Sequence, residues 1–171
     1  MEQLSLFDWP AAAAEEIAAR VERAAAWVDL APHWDEVEAV GAARQALADG
    51  FDPNRSIERA HVVGFAGEKV IELVTGIPAW YGGPQGDAAD CPYLNLDVKT
   101  TRALRRPCLR QNVRGRRWHD FFALVTLDEA RRRARLVGWA SATEVRAAPV
   151  EPGYWGPMHV LPGNALHPGL P

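Results

Sequence analysis

A short alternation of apolar and polar residues from Leu94 to Lys99 constrains the fold of this chain most. Side chains along a β-strand point alternately to its two faces, so the three apolar residues of this run are expected to face a core. Asp97 and Lys99 are then expected together on the opposite face. We therefore predict a strand that carries a carboxylate and an ammonium group side by side.

Two further acids precede this strand. Asp87 follows Gly86 in a segment rich in glycine and proline, which predicts a turn, so Asp87 can begin a strand that pairs beside the first. Glu68 lies further upstream, in a segment with helical periodicity. The order of these residues predicts that the carboxylates of Glu68, Asp87 and Asp97 converge near Lys99.

The segment around Glu68 supports this arrangement independently. We predict a helix about five turns long that begins with Ser56 as its N-cap and ends at Gly76. Gly64 and Gly67 each weaken a helix interior by about 1 kcal/mol relative to alanine. A close approach of the helix backbone to a sheet would compensate for that loss and bring Glu68 to the strand edge. The alternative is that Glu68 lies on the surface.

Such a set of groups is suited to phosphodiester hydrolysis. Hard divalent cations, Mg²⁺ or Mn²⁺, prefer oxygen ligands and keep open positions. Glu68, Asp87 and Asp97 would supply carboxylates, and Val98 would supply its backbone carbonyl. Lys99 would orient the attacking water and offset growing negative charge. The alternative is that Asp97 and Lys99 form an ordinary solvated ion pair on an edge strand.

The overall composition predicts one globular domain. The chain has 171 residues, of which 48% are hydrophobic, and contains no apolar run long enough to span a membrane. Its acidic start lacks the positive region of a signal peptide, so we expect a cytoplasmic protein. Its cysteines, Cys91 and Cys108, are expected to be free thiols. We expect a tail over residues 1–10, a helical extension over 11–55 and a core over 56–171.

Local patterns predict the remaining elements. Helices are expected over residues 11–30 and 33–48, and strands near residues 79–81, 91–101, 121–127 and 136–140. The last two strands are expected to be central and joined by a basic turn. From residue 149 onward, prolines and glycines predict an irregular tail across the sheet, with one short strand near 158–161. His119, His159 and His167 lack metal-like spacing and are expected to be structural.

Basic residues are concentrated after the predicted catalytic strand. Residues 1–60 hold 12 acidic and five basic side chains, whereas residues 61–171 hold 10 and 14. Seven arginines and no acid occur between residues 102 and 117: Arg102, Arg105, Arg106, Arg110, Arg114, Arg116 and Arg117. Such a segment is suited to contacts with the phosphates of DNA. The alternative is a solvated loop.

The order of these motifs resembles the PD-(D/E)xK nuclease superfamily. The resemblance covers about residues 57–145 and rests on Gly67-Glu68, Gly86-Asp87 and the run Asp97-Val98-Lys99. It implies an α/β fold of the restriction-endonuclease type, with a central mixed sheet of four to five strands flanked by helices and an N-terminal helical extension. It also implies that Glu68, Asp87 and Asp97 hold Mg²⁺ while Lys99 positions the nucleophilic water. The chain departs from the family where Gly86 replaces the proline before Asp87, and where residues 102–117 lack the pattern of the usual helix.

The N-terminus carries a second resemblance. Gln3, Leu4, Ser5, Leu6 and Phe7 resemble the short peptide by which many bacterial replication and repair proteins dock on the DNA sliding clamp. A linear peptide in an apolar groove needs anchoring side chains, here Leu6 and Phe7, and a polar residue that fixes its register. The alternative is that these apolar residues cover the protein's own core.

Two functions follow from the sequence. The first is a Mg²⁺-dependent DNA nuclease, tethered to the sliding clamp. The second is a catalytically inactive module that keeps the nuclease fold and the arginine segment, and uses them only to bind nucleic acid or a partner.

Overall fold

The computed structural model describes residues 16, 19, 22, 26–49, 59–77, 89–115, 118–153 and 156–171. The helices are α1 (Trp34–Asp49), α2 (Ala60–Thr75) and α3 (Ala142–Ala147). The strands are β1 (Val28–Asp29), β2 (Leu96–Thr101), β3 (Cys108–Asn112), β4 (Phe121–Asp128), β5 (Arg133–Ser141), β6 (Val150–Gly153) and β7 (Gly156–Pro162). Glu16, Ala19 and Glu22 are helical as well.

The strands form two sheets. The larger sheet has the order β1-β5-β4-β2, in which β2 and β4 are parallel and the other pairs are antiparallel. The smaller sheet is antiparallel and has the order β3-β7-β6. The prediction of a mixed α/β fold with a four-stranded mixed sheet flanked by helices is confirmed, and so is the central position of β4 and β5.

Strand β4 is buried on both faces, which explains its unbroken apolar sequence. Ala123, Val125 and Leu127 face a core shared with α1 and α2. Phe122 and Leu124 face a second core, which α3, β3 and β7 complete. The larger sheet therefore has helices on one face and the smaller sheet with α3 on the other.

Helix α2 packs closely against its neighbours through small residues. A Cβ atom added at Gly67 would overlap the Thr100 hydroxyl of β2 and lie 3.3 Å from Cγ1 of Val98. A Cβ atom added at Gly41 of α1 would lie 2.6 Å from Cα of Val62. The predicted approach of the helix backbone to the sheet at Gly67 is confirmed. Gly64 differs, because a Cβ atom there would meet nothing within 4 Å.

The ends of three predicted elements are wrong. Val28 belongs to β1 and not to a helix over residues 11–30, because its strand pairs with β5. Helix α2 begins at Ala60 and not after Ser56, since Arg59 has a left-handed backbone with a φ of 62° that interrupts the helix. The strand predicted from Leu94 begins only at Leu96, because Asn95 is also left-handed, with a φ of 45°.

Two features of the second half were missed. Strand β3 lies inside the arginine-rich segment, where only Leu109 and Gln111 are buried and the alternation is too short to stand out. In the segment after residue 149, β7 confirms the short strand predicted near residues 158–161, whereas β6 was not predicted. The prolines of this segment are tolerated because Pro152 lies on an edge strand and Pro162 ends a strand. The tail does cross the sheet, since His167 and Trp139 exchange both backbone hydrogen bonds.

Other predictions fall outside the described residues. They concern the clamp-like peptide Gln3 to Phe7, the strand near residues 79–81, and Asp87. Within the described part of the chain, no helix is both long and apolar enough to cross a membrane.

The two glycines of α2 provide a matched test of the packing. Gly67→Ala should lower the free energy of unfolding by about 1–3 kcal/mol, because the overlap with β2 exceeds the gain of about 1 kcal/mol in helix propensity. Gly64→Ala should raise it by up to about 1 kcal/mol, because its methyl group enters open space. Urea unfolding of both variants measures these changes, and equal effects would contradict the close approach.

Candidate functional site

The structure places three of the four predicted site residues on adjoining elements. Glu68 lies on α2, directly after Gly67, and is only 6% exposed. Asp97 and Lys99 lie on β2, on the face opposite Leu96 and Val98. Because Gly67 packs against β2, its neighbour Glu68 is held at the edge of the sheet. Asp87 lies outside the described residues.

A further acid, Asp90, joins this group. The chain from Cys91 to Leu96 makes a tight hairpin, in which Cys91 and Leu96 exchange backbone hydrogen bonds. Asp90 therefore lies beside β2, and the Val98 amide donates a hydrogen bond of 2.7 Å to its Oδ2 atom. Burial, followed by repulsion from the Glu68 and Asp97 carboxylates, raises the pKa of Asp90 to about 7. Three carboxylates thus share one poorly solvated region.

Asp90 was not predicted as a site residue, because Asp87, the acid that follows Gly86, was chosen instead. The signal for Asp90 was nevertheless present. Pro92 begins a short 3-10 turn, and Asn95, a residue that tolerates the left-handed region, ends it. A turn of that length between residues 91 and 96 places Asp90 and Asp97 at neighbouring positions of the hairpin.

Two cations compensate the carboxylates. Arg44 of α1 donates from Nη1 to Oε1 of Glu68 at 2.6 Å and from Nη2 to Oε2 at 2.8 Å. The Lys99 Nζ atom lies 2.5 Å from Oδ2 of Asp97. That contact lacks hydrogen-bond geometry, so the buried Oδ2 atom accepts no hydrogen bond from the described residues. Arg44 was not predicted, because it lies 24 residues from its partner and on another helix.

The carboxylate oxygens of this site are the right type of ligand for a hard divalent cation, but they do not surround a common point. No three acidic, histidine or cysteine side chains among the described residues are grouped closely enough to hold a metal ion. The oxygens of Glu68, Asp90 and Asp97 are nevertheless the ligand type that Mg²⁺ and Mn²⁺ prefer. Burial and the charges of Glu68 and Asp97 raise the pKa of Asp90, and a bound cation would offset the repulsion among these carboxylates.

The second lysine and the thiols have ordinary structural surroundings. Lys69, 5% exposed, lies 2.6 Å from a Glu72 oxygen and 2.9 Å from a Glu36 oxygen, so its charge is compensated away from β2. Cys91 and Cys108 are free thiols, as predicted.

The histidines contact polar partners outside the carboxylate group. His119 contacts the Asn95 side chain, His159 the Ala148 carbonyl and His167 the Glu144 carboxylate. The Glu144 contact belongs to a helix cap in which hydrogen bonds from Ser141 and then from His167 lower the pKa of Glu144 to about 2.

The arginine-rich segment is not uniformly available to a ligand. Arg102 lies 2.8 Å from Oε2 of Glu129, which also contacts Arg59, so its charge is already compensated. Arg110 lies 3.8 Å from Oε2 of Glu151, a longer and weaker contact. Three others are exposed and show no acidic partner within the described ranges: Arg105, Arg106 and Arg114. Arg116 and Arg117 lie outside those ranges.

Comparisons with protein-family models, with curated proteins and with solved structures return no match for this chain. The site must therefore be interpreted from its own geometry.

The raised pKa of Asp90 predicts an unusual dependence of stability on pH. Between about pH 4 and pH 7 the folded protein holds a proton on Asp90 that the unfolded chain has released, so the free energy of unfolding falls as pH rises. Asp90→Asn removes this term. The free energy of unfolding of the variant, relative to that of the natural protein, should increase by on the order of 2 kcal/mol between pH 5 and pH 8. Urea unfolding in EDTA measures this difference.

Gly64→Ala is the control, because it changes the stability of the helix without removing an ionisable group. Its stability relative to the natural protein should stay the same at the two pH values. A difference between Asp90→Asn and the natural protein that stays constant with pH would contradict the raised pKa.

Proposed function

We propose that this chain is a Mg²⁺- or Mn²⁺-dependent DNA nuclease with a restriction-endonuclease-like core of the PD-(D/E)xK type. One observation carries the proposal: the Val98 amide holds Asp90 against the edge strand that carries Asp97 and Lys99, where its charge interacts with Glu68 and Asp97. Carboxylates brought together against their own repulsion are typical of functional sites. The proposed cation ligands are drawn from Glu68, Asp90, Asp97 and the backbone carbonyl of Val98, with Asp87 retained as a predicted contributor, because no three of the described acids are grouped closely enough to hold an ion by themselves.

The order of elements also supports the proposed core. Helix α2 with Glu68 precedes the hairpin with Asp90, then β2 with Asp97 and Lys99, and then the central strands β4 and β5. Strand β2 is at the edge of the sheet, so its polar face adjoins the turn that carries Asp90. A nucleic-acid strand could therefore reach the carboxylates from outside the sheet.

The residues of the site have separate proposed roles. A bound Mg²⁺ ion would polarise the phosphoryl oxygen and lower the pKa of the attacking water. Glu68 accepts two hydrogen bonds from Arg44, and a carboxylate has about four lone-pair positions, so Glu68 retains acceptor capacity. Lys99, 34% exposed, presents its ammonium group beside Asp97, where it would orient water and offset charge that develops on the phosphate.

The inactive binding module is the second candidate, and a specific observation favours it. In the described residues each acid is engaged: Glu68 with Arg44, Asp97 with Lys99, and Asp90 with the Val98 amide. Such compensation stabilises a fold without any cation. Calorimetric titration with Mg²⁺ or Mn²⁺ distinguishes the two candidates, since the module should bind DNA in a salt-dependent way but bind no metal and cleave no substrate.

The nuclease proposal makes a direct prediction. Asp97→Asn and Lys99→Ala should each abolish Mg²⁺-dependent cleavage, lowering the rate by about a hundredfold or more, because the first removes a charged cation ligand and the second removes the ammonium group. Labelled single-stranded, duplex, flap and branched DNA should be tested with Mg²⁺ and Mn²⁺.

Asp35→Asn, which changes an exposed acid in the first turn of α1, should cleave like the natural protein, and thermal unfolding should show that the site variants remain folded. Undiminished hydrolysis by both site variants would reject the nuclease assignment. Failure of the natural protein to cleave any substrate, combined with salt-dependent DNA binding, would favour the module.

We also propose that residues Gln3 to Phe7 tether the protein to the bacterial DNA sliding clamp. Leu6→Ala combined with Phe7→Ala should remove measurable affinity for purified clamp, because both apolar anchors of the peptide are lost. Surface plasmon resonance measures this affinity, with Asp8→Ala as a control outside the five residues. Equal binding by the double variant would reject the tether.

A further inference from the structure

A cavity of about 240 Å³ opens next to the carboxylates, on the face of the larger sheet away from α2. Its walls come from the end of β2, the following segment and the start of β3. Six residues of its lining carry the argument: Lys99, Thr101, Arg106, Cys108, Arg110 and Leu124. We call this cavity the β2–β3 pocket.

The β2–β3 pocket is strongly positive. Lys99, Arg106 and Arg110 contribute three cations, and none of the described residues that line it is acidic. Lys99 is paired with Asp97, and Arg110 has only the long contact with Glu151. Arg106 is exposed and has no acidic partner in the described part of the chain. The pocket therefore has uncompensated positive charge and is suited to an anion.

The charged side chains of both strands lie on the faces opposite their buried residues. Along β3, Leu109 and Gln111 are buried, whereas Cys108 and Arg110 point to the other face. Along β2, Lys99 lies on the face opposite Val98. The floor is Leu124 of β4, which is only 1% exposed, so a ligand that fills the pocket must reach the sheet itself.

We propose that the β2–β3 pocket binds one unpaired nucleotide of a nucleic-acid strand, with its phosphate between Arg106 and Arg110. Guanidinium groups bind phosphate through two parallel hydrogen bonds, and the hydroxyl of Thr101 adds a polar group at the wall. The volume is slightly below the range of about 300–1,000 Å³ for pockets that enclose drug-sized ligands, so the pocket has room for one nucleotide at most. A base-paired nucleotide would have to leave its stack to enter.

The pocket adjoins the candidate active site, because Lys99 belongs to both. The bound nucleotide would therefore flank the phosphate at Glu68, Asp90 and Asp97. This inference deepens the proposed function and rests on it, since the strand that the pocket holds is the strand to be cut. It predicts a preference for single-stranded or locally unpaired substrates.

Cys108 reports directly on occupancy of the pocket. It is one of only two cysteines, and the other, Cys91, is 3% exposed. The rate at which a small alkylating reagent modifies Cys108 is measured in EDTA, so that no cleavage occurs. A single-stranded oligonucleotide should slow modification in proportion to the fraction bound, whereas a blunt duplex bound to the same extent should protect less. Fluorescence anisotropy gives the fraction bound.

Variants separate the pocket from general electrostatic attraction. Arg106→Gln should weaken single-strand binding by about tenfold and remove the protection of Cys108, because a charge-assisted contact with phosphate is lost. Arg105→Gln, which removes the same charge outside the pocket, should weaken binding less. Arg132→Gln, an exposed position in the turn before β5, should leave both binding and protection unchanged.

Several results would contradict the proposal that the pocket binds an unpaired nucleotide. They are an unchanged rate of Cys108 modification with saturating oligonucleotide, equal losses from Arg105→Gln and Arg106→Gln, and equal protection by single strand and duplex. If a nucleoside monophosphate or inorganic phosphate protects Cys108 but the oligonucleotide does not, the proposal is wrong and the ligand of the pocket is a free anion.

The Asp97→Asn variant separates the two proposals. Retained protection of Cys108 in that variant, together with no cleavage by the natural protein, would reject the nuclease while supporting the pocket. Cleavage by the natural protein without protection of Cys108 would reject the pocket while leaving the nuclease in place.

Discussion

The contact between the backbone of α2 and the edge strand β2 at Gly67 is the constraint on which the rest of the arrangement depends. Without a side chain at Gly67, the helix approaches Val98 and Thr100 closely enough to bury the Thr100 hydroxyl without a hydrogen-bond partner in the described residues. The same approach places Glu68, the next residue, at the edge of the sheet. Packing of the core and assembly of the charged site are therefore consequences of one small residue.

That arrangement brings like charges together, and the fold compensates them in different ways. Arg44 holds Glu68 through two hydrogen bonds, while Lys99 approaches Asp97. Asp90 accepts a hydrogen bond from the Val98 amide, while its burial, followed by repulsion from Glu68 and Asp97, raises its pKa. Breaking a buried pair costs about 3–5 kcal/mol, because the surviving charge is left poorly solvated. The same residual repulsion makes the region a candidate site for a cation.

Structural features that depend on neighbouring residues in the sequence were predicted correctly. The alternation around Asp97 and Lys99 predicted their shared face, and the two glycines of α2 predicted a close contact that one of them, Gly67, makes. Features were missed where the interacting residue is distant in sequence, or where the backbone conformation of one residue sets the position of another. Asp90 was passed over because its position depends on the left-handed Asn95, and β3 was missed because only two of its five residues are buried.

The amino-acid sequence alone determined which residues could form strands and helices, the mixed α/β class, and the shared face of Asp97 and Lys99, because periodicity and residue type are local properties. The tertiary structure alone decided which of these groups meet. Arg44 of α1 binds Glu68 of α2, and the residues of β2 and β3 line a basic pocket that includes Lys99. Such contacts depend on packing between elements distant in sequence, which no local pattern specifies.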